Sequence, residues 1–416
     1  MLSKTKTFII AYIGLLLIFI VSLFLTSSIP SSALQKQIDV SVTELQKEGT
    51  YPSFGLPSRK VVLDNFTDPL MINTAYSLNS EEAFKSMLLN KRYSSSTNST
   101  DQIQNLAELY EKNNTPQTGY ERYWHGYLIY LRPLLTMFSY SGIRVLNALF
   151  LYCGFVWLLV SVWKKLGRKM VIALLVGFVA TDFFFIWKSL QFSAVFHVAI
   201  YSSIYFLSTY KKSTTYYVFF FIVGGITAFF DLLTVPLITL GLPLILYVAL
   251  EKRNVWQIIR LCFIWTAGYL LLWASKWVLV QYFFVPGAIH TSIDQIVNRT
   301  VTKADPDFNH INTIKRNILQ LLGYDKMNKI IDLVIAGVMA LFFLRYVSFR
   351  KVKLQNVIPW MIIGGIPYAW YLVAANHSYL HVWYTYRLQL ISVICFVLIY
   401  MEFIDWKKVK KEFRII

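Results

Sequence analysis

The chain has 416 residues, 56% of them hydrophobic and 17% aromatic, with a formal net charge of +18. Its mean hydropathy of +0.50 excludes an ordinary soluble domain; the repeated long apolar runs read as membrane helices. The basic excess does not call for a nucleic-acid partner, because it clusters at the ends of those runs.

In chain order, residues 7–27 come first. Lys4 and Lys6 precede them, and Ser27-Ser28 imitates a cleavage site. The run is too long for a signal peptide, so residues 1–27 are expected to be an uncleaved transmembrane anchor. A polar segment follows over 28–143, and it is the expected extracytoplasmic loop. Its periodicity predicts amphipathic helices from Glu81 to Asn90 and from Asp101 to Lys112. In the second, Ile103, Leu106, Ala107 and Tyr110 share one face. Residues 93–100 are rich in Ser, Thr and Asn and read as a loop. Tyr123 to Phe138 is apolar, short and broken by Arg132-Pro133, which predicts an interfacial helix with its aromatic residues at headgroup level.

Further spans are expected near 144–163, 170–187, 189–208, 216–231, 233–250 and 258–283, the central transmembrane block of residues 144–283. Asp231, Pro236 and Pro243 interrupt two of them, which read as broken helices. A second outer segment covers 284–327. Spans near 328–347, 355–374 and 386–405 make up the C-terminal block, 328–405, with a short outer turn holding Asn376 to His381. A basic tail, 406–416, ends the chain. The fold class is therefore an all-α polytopic membrane protein with about ten transmembrane helices and a long first loop.

Charge orients this arrangement. Lys4, Lys6, Lys164, Lys165, Arg168, Lys169, Lys211, Lys212, Lys252, Arg253, Arg260, Arg345, Arg350, Lys351, Lys353 and the tail residues Lys407, Lys408, Lys410, Lys411 and Arg414 fall on one side. Only Glu251, Glu402, Asp405 and Glu412 oppose them. By the positive-inside rule that side, with both termini, is cytoplasmic. The basic surface then answers to anionic membrane lipid. Cys153, Cys262 and Cys395 all lie in apolar spans, so neither a disulfide framework nor a cysteine metal site is expected.

The candidate chemistry collects on the other side. Asp64 and Asp68, in Asp64-Asn65-Phe66-Thr67-Asp68, can accept a proton from an acceptor hydroxyl or hold a divalent cation, Mg or Mn. The alternative is a cap, with Asp64 or Thr67 starting a helix through Leu70 and Ala75. Asp68 is favoured slightly over Asp64. Asp182 and Asp231 lie near the outer ends of apolar spans, where a charge faces a cavity or a partner. For Asp182 that partner is expected to be Lys188. Arg132, Arg144, Lys276 and Arg387 are outer-side cations suited either to a lipid phosphate or to snorkelling. Arg132 and Arg387 are the leading phosphate candidates. His377 and His381, at i, i+4, and His125 read as polar lining of a substrate site rather than as metal ligands, since no third ligand is near.

Together these features resemble the GT-C superfamily of membrane glycosyltransferases. The resemblance rests on topology, on Asp64 and Asp68 in the first outer loop, on the interfacial stretch Tyr123 to Leu135, and on Phe230 to Pro236 followed by Thr239 to Pro243. It implies transfer of a sugar from a polyprenyl-phosphate donor, on the extracytoplasmic face, to a cell-wall or surface glycopolymer or a lipid-linked acceptor. It also implies inversion, an aspartate as base, and arginines at the leaving phosphate. The adjacent Asp/Glu pair of better-known members and their soluble C-terminal domain are not seen. A polymerase or ligase using polyprenyl-diphosphate donors is the second expectation, although the largest loop comes first here. A lipid flippase or transporter is the third, although no repeat is visible.

Overall fold

The computed structural model describes residues 2–56, 59–96, 98–210, 216–251, 254–301, 305, 307–323, 326–349 and 352–413. Lys211, Lys212, Lys252, Arg253, Arg350, Lys351 and Arg414 lie outside the described residues. The protein is almost wholly helical. Six helices are long and apolar enough to cross a membrane: Thr5–Ser27, Tyr140–Leu166, Leu190–Thr209, Val255–Phe283, Leu354–Val373 and Val382–Phe403. Three shorter apolar helices join them, Tyr216–Phe230, Ile238–Leu250 and Leu333–Tyr346. The ten expected crossings thus correspond to fewer helices of spanning length. Asp231 and Pro236 interrupt one pair, and the expected span at 170–187 stops at Ala180.

The chain begins with α1 (Leu2–Ser27), then α2 (Gln35–Glu48), a short hairpin of β1 (Ser53–Leu56) and β2 (Arg59–Val62), and α3 (Thr67–Ser77). Next come α4 (Ala83–Leu89), α5 (Gln102–Glu111) and α6 (Leu128–Leu134). Helices α4, α5 and α6 fall within the three stretches expected to be helical, and α2 and the hairpin are further elements. Asp101 caps α5 by accepting from the Gln104 N–H at 2.9 Å. The loop at 93–100 is pinned from within: Asn73 exchanges hydrogen bonds of 3.0 Å with the Tyr93 backbone, and Asn105 accepts from the Ser95 N–H at 2.8 Å.

The helical block continues with α7 (Tyr140–Leu166), α8 (Arg168–Ala180), α9 (Leu190–Thr209), α10 (Tyr216–Phe230), α11 (Ile238–Leu250) and α12 (Val255–Phe283). Small residues let two of these meet closely. A Cβ at Gly224 of α10 would run into the Trp265 carbonyl, and one at Gly268 of α12 into the Phe221 carbonyl. Backbones approach this way in membrane helices because lipid supplies no hydrophobic drive between them. Outward-facing Leu149, Phe150, Trp157 and Trp163 of α7 are exposed, a belt that water would not tolerate over such a stretch.

The remaining helices are α13 (Ala288–Val301), α14 (His310–Leu322), α15 (Lys326–Tyr346), α16 (Leu354–Val373), α17 (Ala375–Leu380), α18 (Val382–Thr385), α19 (Leu390–Phe403) and α20 (Trp406–Phe413). Lys169 lies over the Trp406 ring, and Arg345 pairs with Glu412. These contacts bring the ends of α7, α8, α15 and α20 to one face, here the basic face. The described residues between 28 and 139 occupy the opposite, loop face.

Candidate functional site

The loop face is assembled by its charged residues. The Asp64 carboxylate folds over the start of α3. Its Oδ1 accepts from the Phe66 and Thr67 N–H groups at 3.0 and 3.2 Å, and Oδ2 accepts from the Thr67 hydroxyl at 2.8 Å. Asp64 thus closes the turn that leads into α3, while the N-cap position itself is Phe66 and carries no side-chain cap. Burial, helped by the charge of Asp68, pushes the Asp64 carboxyl up to about 6.

Asp68 caps a different helix. Fully buried, it accepts from the Tyr140 hydroxyl at 2.6 Å and from the Leu190 and Gln191 N–H groups at 2.8 and 3.0 Å. Its charge therefore sits on the N-terminus of α9, where orphan N–H groups and the helix dipole favour an anion. Burial still raises its pKa, outweighing these contacts. The 122 positions between Asp68 and Leu190 kept this pairing out of reach of sequence reading.

Arg132 and Lys276, expected as phosphate ligands, are spent on helix C-termini. Arg132 donates to the carbonyls of Ala75 and Leu78 at the end of α3, and to Ile29 and Ser31. Lys276 donates to the Met87 carbonyl at 2.8 Å and to Asn90 Oδ1 at 2.9 Å, closing α4. Cations at carbonyl-rich helix ends are well placed electrostatically. Arg144 pairs with Glu48 at 2.6 Å and donates to Asn65 Oδ1 at 3.1 Å, bracing the Asp64 turn.

His125 holds its own loop. It has a positive φ of 57°, with Nδ1 2.9 Å from the Tyr127 hydroxyl and Nε2 2.6 Å from the Tyr120 carbonyl oxygen. Burial and then the charge of Lys276 push its pKa down to about 3. The Asp182 carboxylate accepts from the Tyr386 hydroxyl at 2.6 Å. Lys188, its expected partner, sits 3.9 Å from the centre of the Phe54 ring.

A second group of residues converges around α17. His377 Nε2–H donates to the Leu233 carbonyl at 2.7 Å, and Nδ1 accepts from Arg299 Nη1 at 2.7 Å. Burial and the charges of Arg299 and His381 hold this imidazole well below its usual pKa, so it is neutral. Leu233 has a φ of 67°, a strained state for a branched side chain. The strain falls in the helix break between α10 and α11. There Asp231 Oδ1 accepts from the Thr234 N–H and hydroxyl at 2.8 and 2.5 Å. Its buried Oδ2 has no hydrogen-bond partner among the described residues.

The same holds within α17 and along the chain just after it. Asn376 Oδ1, Ser378 Oγ, His381 Nδ1, Trp383 Nε1 and both Nε and Nη2 of Arg387 are buried without a partner among the described residues. The Arg387 guanidinium lies 4.9 Å from the centres of the Phe192 and Tyr386 rings, and Nη1 donates to the Trp383 carbonyl at 2.9 Å. The Nε/Nη2 edge, the one that grips an oxyanion with two parallel bonds, is left open. Buried polar atoms without partners are uncommon, and six of them gather on this short segment.

Tyr384 links the two groups. Its hydroxyl is 3.2 Å from His377 Nε2, its ring is 5.4 Å from Phe192, and it lies within the fields of Arg299, Asp64 and Asp231. An apolar groove of about 460 Å³ runs from this site between α11, α12 and α16, lined by Leu237, Trp265, Tyr269 and Trp370, with Arg299 at its rim. Burial works against the Arg299 charge, but the surrounding tyrosines, Tyr123 first, outweigh it and raise its pKa.

Sequence reading missed Arg299. The signal was present: Ala288, Ser292, Ile296 and Arg299 follow one another at i, i+4, i+8 and i+11, which sets a cation on the inward stripe of an amphipathic helix. Among the described residues no group of His, Cys, Asp and Glu has the make-up of a metal site. No family model, curated protein or solved structure matches this chain.

Proposed function

We propose that this protein is an inverting membrane glycosyltransferase, taking a sugar from a polyprenyl-phosphate donor on the extracytoplasmic side. The loop face is then extracytoplasmic and the basic face cytoplasmic. One observation carries the reading. An apolar groove of about 460 Å³ has a half-buried arginine, Arg299, in its lining, beside a polar cluster with unspent hydrogen-bonding groups. That is the shape of a ligand with a long apolar tail, a phosphate and a polar head.

In this reading the isoprenoid tail lies in the groove. Arg299 meets the phosphate, and the open edge of Arg387 gathers charge as the lipid phosphate leaves. Electrostatic stabilisation of the leaving group supplies much of the rate. Asp64, an outer-loop carboxylate with a raised pKa, is the base that takes the acceptor hydroxyl proton. His381, Asp231 and Tyr384 line the sugar and acceptor space. The acceptor is a cell-wall or surface glycopolymer or a lipid-linked glycan. Asp68, committed to α9, has a supporting role.

The test is transfer of radiolabelled sugar from synthetic polyprenyl-phosphate donors to membrane acceptors by purified protein. Wild type is compared with Asp64→Asn and Arg299→Ala. Loss of transfer in both variants, with the fold intact, supports the reading. Undiminished transfer by both removes these residues from the mechanism.

A further inference from the structure

The hairpin of β1 and β2 brings an exposed aromatic residue to Asp64. Its register pairs Ser53 with Val62. Two hydrogen bonds of 2.9 Å, from the Leu63 N–H to the Pro52 carbonyl and from the Asn65 N–H to the Thr50 carbonyl, carry that register beyond the strands. Tyr51 then lies directly across from Asp64, in the close, non-hydrogen-bonded kind of pair, and the two residues share one face of the ribbon. That face is the outer one. Tyr51 and Ser53 are exposed on it, whereas Val61 and Leu63, on the other face, are buried. The carboxylate proposed as base therefore belongs to the side from which a ligand arrives.

Tyr51 is 52% exposed. A single exposed aromatic residue is ordinary on a protein surface. This one also reaches across to α18. Its ring centre lies 6.0 Å from that of half-buried Trp383, and the two planes meet at 70°. Ring contacts continue inward, from Trp383 to His381 at 5.1 Å and from His381 to His377 at 4.7 Å, and His377 accepts from Arg299. Tyr51 and Trp383 are thus the outer end of a run of rings whose inner end meets the arginine of the apolar groove.

We propose that Tyr51 and Trp383 form a subsite for a pyranose ring. A pyranose has an apolar face of C–H groups, which the electron-rich face of an aromatic ring attracts, and a rim of hydroxyls. Stacked at Tyr51, such a ring sets a rim hydroxyl beside Asp64. A flexible polyol has no flat face to stack. The ring held here is the acceptor's, which makes the acceptor a pyranose-containing glycan. That assignment rests on the transferase reading above; the binding of the ring does not.

Saturation-transfer NMR tests the binding without requiring turnover. Full-length protein in phospholipid nanodiscs is given the methyl β-pyranosides of glucose, galactose, mannose and N-acetylglucosamine. Ribitol is the ring-free control, and empty discs are the blank. At least one pyranoside is expected to take up saturation several-fold above ribitol, most strongly at the C–H protons of one ring face. Tyr51→Ala should lower that signal to the ribitol level, and Tyr51→Trp, which keeps a flat ring at the position, should retain it. Arg299→Ala should leave it intact. Unchanged thermal unfolding in the same discs shows that each variant is folded. Pyranoside signals no higher than ribitol in wild type, or unchanged in Tyr51→Ala, would overturn the subsite. In the transfer assay, Tyr51→Ala should raise the KM for acceptor several-fold and leave the KM for donor as it was; the opposite split would overturn the assignment to the acceptor. A Tyr51-dependent pyranoside signal in a protein that transfers no sugar would leave the subsite standing and count against the transferase instead.

Discussion

Replacing Asp68 separates a structural carboxylate from a catalytic one. The Asp68→Ala variant strips the partner from four buried donors, the hydroxyls of Tyr140 and, at a long 3.4 Å, Ser189, and the N–H groups of Leu190 and Gln191. Each orphaned donor costs about 1–3 kcal/mol, and loss of the charge at the start of α9 adds up to about 2 kcal/mol. The removed carboxylate was itself unfavourably buried, as its raised pKa records, and this offsets part of the sum. The expected loss is about 3–5 kcal/mol, as for other broken buried polar pairs. Asp68→Asn keeps one carbonyl oxygen for the two N–H groups and should lose about 1–3 kcal/mol. Equilibrium unfolding in mixed micelles, titrated with a denaturing detergent, reads these differences, and Tyr140→Phe, which removes a single donor, should fall near 1 kcal/mol. An Asp68→Ala protein within about 0.5 kcal/mol of wild type would refute the cap. If that protein had also lost all transfer, Asp68 would return as the base.

Asp64 makes a contrasting prediction. Its folded pKa of about 6 lies above the ordinary 3.8, so its share of stability is fully present below pH 3.8 and is lost as pH rises through 6. Asp64→Asn should accordingly be neutral or stabilising above pH 6, by up to about 3 kcal/mol, and micelle unfolding at pH 5 and pH 8 checks the sign. As the base, the same group gives wild-type transfer an acid limb near pH 6; a rate flat from pH 5 to 8 would exclude it. Arg299→Ala should raise the KM for polyprenyl-phosphate donor at least about tenfold, the scale of a lost charge-assisted hydrogen bond, with Arg299→Lys recovering part of it in steady-state kinetics. Gly224→Val drives a side chain into the Trp265 carbonyl and should cost about 3 kcal/mol or more by overpacking, seen as poor yield and early unfolding. If Arg299 and Arg387 supply the positive charge at the phosphate, as proposed, transfer should keep most of its rate in EDTA; loss reversed by Mg or Mn would place a cation on the carboxylates.

The amino-acid sequence by itself determined the membrane class, most helix positions and the polar loop. Those follow from local properties: the length of an apolar run, helical periodicity and the company a proline keeps. Even the Asp64 turn ahead of α3 was legible, because its donors lie two and three residues away. The number of helices of spanning length was less so, since Asp231 and Pro236 interrupt one hydrophobic stretch without changing its composition. Tertiary structure alone decided how each charge is used. Arg132, Lys276 and Arg387 look alike in sequence, each a cation in apolar surroundings. Only folding gives the first two to the carbonyls ending α3 and α4 and leaves the third with an open edge. The reason is physical: a buried cation takes its character from the partners that chain packing brings to it, and those partners lie tens to hundreds of residues away.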